Sequence, residues 1–422
     1  MTDFREAESE SGLSELFSRR AFLRLSAAGA ASLAASESGL LCAGRAYPAE
    51  TDKKVRLAVV GGGFGASFHW HEHPNCRVTA VTDLYAARRD ALRQHYQCDV
   101  VYDSLEDLLQ KERNIDAVAV FTGATDHARH VKMCMDRGLH VVSAVPVCTT
   151  LEEAAMLKEL KEKTGLKYML AESSYYRSEC IFARNLHASG VFGEMFYYEV
   201  EYYHDVRDEA VPGRLGYNPD GSRSWRWGYP PMWYTTHSLG YVVGVTGERL
   251  TKVSCLGWGG TRPEVREHPF VKENVYHNPF LSSASMMLTS ANHMCRCNEF
   301  RWCVPYGERA QWFGDQATLY MEVPGVNGNV LNARGQAVRP AEIPNYLNSD
   351  MLPESMRHPS GHGGSAVFIS AEFVNALIED REPVIDLYEG LAMTVPGIVA
   401  HQSALKGGEQ LEVPNFDPPG RS

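Results

Sequence analysis

Residues 54–69 read KVRLAVVGGGFGASFH, and this stretch decides the fold. Lys54 to Val60 form an apolar run that suits a strand buried on both faces, and the glycines after it mark a tight turn opening a helix. Gly61 permits the turn, and Gly63 lets a pyrophosphate approach the backbone. Ala66 is small enough for close helix–strand packing, and Phe64 and Gly65 complete the loop around the phosphates at the helix N-terminus. The next strand, RVTAVTD, ends in Asp83, 22 residues after Gly61, where a carboxylate would hold a ribose 2′-hydroxyl. Leu84 and Tyr85 follow, with no adjacent Arg to take a 2′-phosphate, so the pattern favours NAD over NADP.

Strand and helix then alternate with short loops: VVYDSLEDLLQ, IDAVAVFTG, a helix from about Asp126 to Arg137, LHVVSAV, a helix from about Leu151 to Lys163, and KYMLAES. This order predicts an α/β domain with a doubly wound parallel sheet over residues 52–172. His69, His71 and His73 with Cys76 suggest a metal cluster. A period of two cannot gather three side chains on one face of a helix, however, so no metal is expected and His69 is placed beside the cofactor.

At 422 residues and 44% hydrophobic composition the chain can bury a full core, most simply as two domains. A net charge of −11 and the lack of a basic run argue against nucleic acid or an anionic membrane as partner, which leaves small molecules. SRRAFLRL, at 18–25, precedes an alanine-rich run and resembles a twin-arginine export signal over residues 1–46, cleaved after Ala46. Export to the periplasm or the outside is therefore expected. No other stretch has the ~18 apolar residues of a membrane span. The ten cysteines include no CxxC pair, and Cys295, Cys297 and Cys303 have no His at zinc-finger spacing. Buried thiols are the expectation.

LAVVGGGFGASFH, AVTDL, IDAVAVFTGATDHARHV, GLHVVSAVP and GVFGEM resemble the glucose-fructose oxidoreductase, inositol dehydrogenase and MocA (Gfo/Idh/MocA) family over nearly all of the chain after the export signal. The resemblance implies a second, α+β domain at 173–422, built on a large open mixed sheet whose face covers the nicotinamide. It also implies that Thr122, His127, Val145 and Pro146 line the cofactor site. Most members use a Lys in a Glu-Lys-Pro triplet for proton transfer, whereas this chain has Ala144, Val145 and Pro146 there.

A subgroup shares that departure. LAESSYYRS (170–178), YHDVR (203–207), SWRW (224–227), YTTHSLG (234–240) and HGG (362–364) are similar to NAD-dependent α-N-acetylgalactosaminidases. In these enzymes NAD takes hydride from C3 of the sugar, a base removes the acidified C2 hydrogen, the C1 substituent leaves, water adds and hydride returns. By motif position the resemblance assigns Tyr176 as the C2 base and His237 to the C3 hydroxyl. Tyr203, His204, Asp205, Arg226, Tyr234 and His362 become sugar contacts, because aromatics stack on pyranose faces and Arg donates to hydroxyls. The expected activity is a redox-neutral glycoside hydrolase that carries its NAD tightly bound. A net sugar or polyol dehydrogenase and a sugar-binding protein with a structural cofactor are the alternatives. A homo-oligomer is expected by analogy.

Overall fold

The computed structural model describes residues 50–304, 307–321 and 328–421. The export signal read from the sequence lies outside them. Six strands form the first sheet: β1 (Val55–Val60), β2 (Cys76–Thr82), β3 (Val101–Tyr102), β4 (Ala117–Val120), β5 (His140–Ser143) and β6 (Tyr168–Leu170). All pair parallel in the order β3-β2-β1-β4-β5-β6, a doubly wound arrangement that reverses direction between β1 and β4. Residues 58–60 of β1 and all of β4 are buried because helices cover both faces.

The helices end where local chemistry stops them. In Leu151–Thr164, Thr150 and Glu153 form a reciprocal capping box, and Gly165 closes the far end at φ 64°. The helix expected after the glycine turn is only one turn, Gly62–Gly65, before the chain leaves for a 3₁₀ turn at Trp70–Glu72. Close packing therefore falls to Gly65, where a Cβ would stand 3.0 Å from Val59 and 3.2 Å from Phe121, and not to Ala66.

The second sheet has nine strands in the order β14-β13-β12-β11-β7-β10-β9-β8-β15. It comprises β7 (Met195–Tyr203), β8 (Leu250–Trp258), β9 (Ser282–Thr289), β10 (Met294–Phe300), β11 (Gly307–Gly314), β12 (Ala317–Tyr320), β13 (Val330–Ala333), β14 (Arg339–Pro340) and β15 (Leu411–Glu412). The pair β7 and β10 is parallel and the other pairings are antiparallel, so the sheet is mixed. The helix Thr236–Thr246 lies on its inner face, where Trp312 Nε1 donates to the Tyr241 carbonyl at 2.8 Å.

The chain then returns to the first domain. The backbone of Leu170 donates to the Ile385 carbonyl at 2.9 Å, and the helix Leu387–Leu405, capped by Asp386, packs beside β6 and the Leu151–Thr164 helix. The C-terminal helices thus hold the two sheets together. Among the described residues no helix is long and apolar enough to cross a membrane. Among the described residues nine cysteines are free thiols, and all but the partly exposed Cys303 are buried.

Gly61 sits at φ 98°, and a Cβ there would meet the Phe121 carbonyl oxygen at 2.1 Å. Gly61→Ala combines left-handed strain with a backbone clash, so urea unfolding should show a loss of about 2–4 kcal/mol.

Candidate active site

The carboxyl ends of β1, β2, β4 and β5 open onto a cleft whose far wall comes from the second domain. Gly61, Gly63, Phe64, Asp83, Thr122 and Val145 line the first side. Asp83 is buried, and its two carboxylate oxygens accept from the backbone amides of Gly62 (2.7 Å) and Tyr85 (2.8 Å), which aims it across the glycine turn. A hydrogen-only glycine edge beside a carboxylate at the end of the second strand fits a dinucleotide. Arg88 also reaches this side, with its guanidinium 5.3 Å from the Tyr85 ring and close to Gly63. Arg88 is not adjacent to Asp83 in the chain but lies about one helical turn further on.

His127 lines the cleft and bridges two turns: Nδ1 donates to the Pro146 carbonyl at 2.7 Å, and Nε2 lies 3.1 Å from that of Thr122. Pro146 contributes that carbonyl rather than a cleft surface. Gly65 and Ala66 also lie off the lining, and His69 turns away to Glu72 and His358. The quartet of His69, His71, His73 and Cys76 does not assemble. His73 binds Asn375 at 2.9 Å, and Cys76 is buried in the core.

On the second side, His237 lines the cleft. Its Nδ1 lies 2.7 Å from Oε1 of Glu172, a carboxylate with no solvent exposure at the end of β6, so Nδ1 carries the proton and Nε2 keeps the lone pair on the cleft side. Burial opposes protonation of His237, but the charge and hydrogen bond of Glu172, with Glu308 behind them, outweigh it and raise its pKa. Glu308 accepts from Ser174 and Tyr241, both at 2.7 Å, and pairs with Arg177 at 2.9 Å. Burial would raise its pKa, yet Arg177 and His237 hold it down to about 2.

A second relay ends at Tyr202. Its hydroxyl lies 2.9 Å from His204 Nδ1, and His204 Nε2 lies 3.0 Å from Glu209. Burial, with the neighbouring Arg301 and Arg226 cations, lowers the pKa of His204, so the ring is neutral near pH 7 and its Nδ1 accepts the phenol proton. The rings of Tyr202 and His237 stand 4.9 Å apart.

Among the residues assigned from motifs, His204, Arg226, Tyr234, His237 and His362 line the cleft. Arg226 does so while stacked on Trp225 at 4.6 Å. Tyr203 and Asp205 do not: Tyr203 bonds Glu201, and Asp205 accepts from Arg207 at 2.8 Å. Side chains alternate along a strand, so the neighbour of His204 on the cleft side is Tyr202. That period-two rule was the available signal. Tyr176 is buried, with its ring parallel to Phe368 at 5.8 Å, and is not on the cleft lining. The residues on the lining from its own turn are Ser173 and Arg177.

Residues 55–172 match the family described as "Oxidoreductase family, NAD-binding Rossmann fold", and residues 351–419 match "Glycosyl hydrolase 109, C-terminal domain". The chain belongs to the Gfo/Idh/MocA family, in its glycosyl hydrolase 109 subgroup. A glycosyl hydrolase family 109 protein of Saccharopolyspora erythraea is 25% identical, covering 95% of this chain and 94% of its own. Another from Parabacteroides distasonis is 23% identical, over 94% and 96%. Among solved structures, an inositol dehydrogenase homolog from Azotobacter vinelandii, complexed with NADH and myo-inositol, superposes with a TM-score of 0.66 at 19% identity, over 86% of this chain and all but a few residues (98%) of that one. An oxidoreductase domain protein from Kribbella flavida reaches 0.71 at 17%, over 86% and 100%. The Gfo/Idh/MocA fold accounts for both sheets, and Val145 lies on the cleft lining in the turn after β5.

Glu172→Gln removes the charge that raises the His237 pKa and leaves burial, which lowers it. NMR titration of the ring should place the His237 pKa above the ordinary ~6.5 in the wild type and below it in the variant.

Proposed function

We propose that this chain is an NAD-dependent, redox-neutral glycoside hydrolase. The observation that carries the proposal is the pair of carboxylate-held relays, Glu172–His237 and Glu209–His204–Tyr202, on one wall of a cleft whose other wall is the dinucleotide turn. A dehydrogenase needs one proton-transfer group, and oxidation followed by elimination needs two. The names of the relatives, glycosyl hydrolase family 109 proteins, support the same reading.

NAD, when bound, supplies reversible acceptance of hydride from a carbinol carbon. His237 Nε2 takes the proton of the hydroxyl on that carbon, and Glu172 stabilises the imidazolium. The ketone at C3 acidifies the C2 hydrogen. Tyr202 takes that proton while passing its own to His204 Nδ1, Glu209 stabilises the resulting charge, and the C2–H electrons form the C1–C2 double bond as the C1 substituent leaves. Water adds its hydroxyl to C1 and its proton goes to the departed aglycone oxygen, the relay exchanges with solvent and delivers a proton to C2, and hydride and the His237 proton restore C3. Trp225, Tyr234 and Arg226 give the sugar an aromatic face and a donor. Hydride returns each cycle, so the enzyme works with tightly held NAD and without a cofactor pool, as export would require. The sugar is a glycoside with a hydrogen on C2 and a free hydroxyl on C3.

The resemblance assigns the C2 base to Tyr176, whereas the proposed mechanism uses Tyr202, which lines the cleft and bonds His204. Tyr202→Phe should still reduce bound NAD on mixing with a cleaved aryl glycoside, with aglycone release slowed by about 10² to 10⁴. Tyr176→Phe should stay within about tenfold of wild type, and His237→Ala should slow NAD reduction itself. Full activity of Tyr202→Phe beside a silent Tyr176→Phe would restore the motif assignment.

A further inference from the structure

The 3₁₀ turn after the glycine loop brings His69 and Glu72 together with His358, which lies 286 residues beyond Glu72. Glu72 Oε1 is 3.0 Å from His69 Nδ1, and Oε2 is 2.6 Å from His358 Nε2. One donor atom from each of the three residues lies within 4.8 Å of the others. None of the three belongs to the cleft.

The arrangement of His358 requires a cation. Its Nδ1 lies 2.9 Å from the Pro359 carbonyl oxygen, which can only accept, so Nδ1 carries a proton. A neutral ring would then press the Nε2 lone pair against a carboxylate oxygen at 2.6 Å, which is repulsive. Either a second proton or a metal ion relieves it. Donation from the outer nitrogen to a backbone carbonyl is also how metal-ligating imidazoles are oriented.

We propose that His69, Glu72 and His358 bind one divalent transition-metal ion, with zinc the best match. Two imidazoles and one carboxylate suit zinc, whereas calcium and magnesium want more oxygen donors. Tetrahedral donors at ~2.0–2.1 Å from zinc stand roughly 3.3 Å apart, so side-chain shifts on the order of 1 Å complete the site. Water takes the fourth position, with His71 Nε2 next to it at 4.0 Å from Glu72. The ion clips the cofactor domain to the 355–370 segment, reinforcing Ser355 Oγ to the Glu72 carbonyl (2.8 Å) and the His69 amide to Ser370 (3.1 Å). That segment carries His362, whose ring rests edge-on against Phe64 at 4.8 Å, so the clip steadies the cleft wall over the glycine turn.

The test uses the full chain, stripped with a chelator and dialysed against zinc, with metal measured by mass spectrometry and binding by calorimetry. The wild type should hold about one zinc per chain and melt at a higher temperature with it. His358→Ala and the near-isosteric Glu72→Gln should each weaken binding by more than the ~10–100-fold typical of a lost outer-shell partner. Cobalt substitution should give a tetrahedral d–d spectrum without thiolate charge-transfer bands, which separates this site from the cysteines. Equal zinc content in wild type and both variants, at zero or at one, overturns the proposal, as do thiolate bands.

Discussion

Glu172 has no solvent around it, and a carboxylate in that position persists only if donors hold it. The donors are the His237 Nδ1–H at 2.7 Å and the Ser174 amide at 2.8 Å. Glu172 ends the first sheet and His237 lies in the helix on the second, so this contact locks the two domains in one relation. Removing one partner of such a buried pair costs about 3–5 kcal/mol. The same contact fixes the tautomer of His237 and leaves its basic nitrogen toward the cofactor turn. Stability and chemistry therefore depend on one hydrogen bond.

Around it the second domain solves a crowding problem. Glu172, Glu299 and Glu308 converge beneath the Thr236–Thr246 helix, and three buried charges of one sign cannot coexist. Glu308 keeps its charge beside Arg177, and Glu172 faces His237. Burial raises the pKa of Glu299 well above the usual carboxylate range, and Ser238 Oγ donates to it at 2.6 Å. The wall therefore carries a fixed electrostatic pattern, with the proton-accepting nitrogen of His237 at its edge.

The first sheet was legible from residues 54–69 and the alternation after them, because buried parallel strands and glycine turns leave local marks. The helices expected at 126–137 and 151–163 are seen at His127–Asp136 and Leu151–Thr164. The glycine turn itself was less legible. Its helix stops after one turn, and Gly65 rather than Ala66 makes the close contact. His237 and Asp83 could be read because each sits in a motif. Glu172, Glu308 and Glu209 could not, since a carboxylate in a sequence does not show whether it will be buried, and their partners are 65, 134 and 5 residues away. Tyr202 was within reach of strand periodicity. Tyr176 and His69 followed their motifs, but packing turned one onto Phe368 and the other onto Glu72.

Under the proposed function, one cleft performs oxidation and elimination in sequence with retained NAD. Incubation of the purified protein with a panel of aryl glycosides in deuterated water, without added NAD, tests it most directly. Any sugar released should carry deuterium at C2. Cleavage that leaves C2 free of deuterium would contradict it.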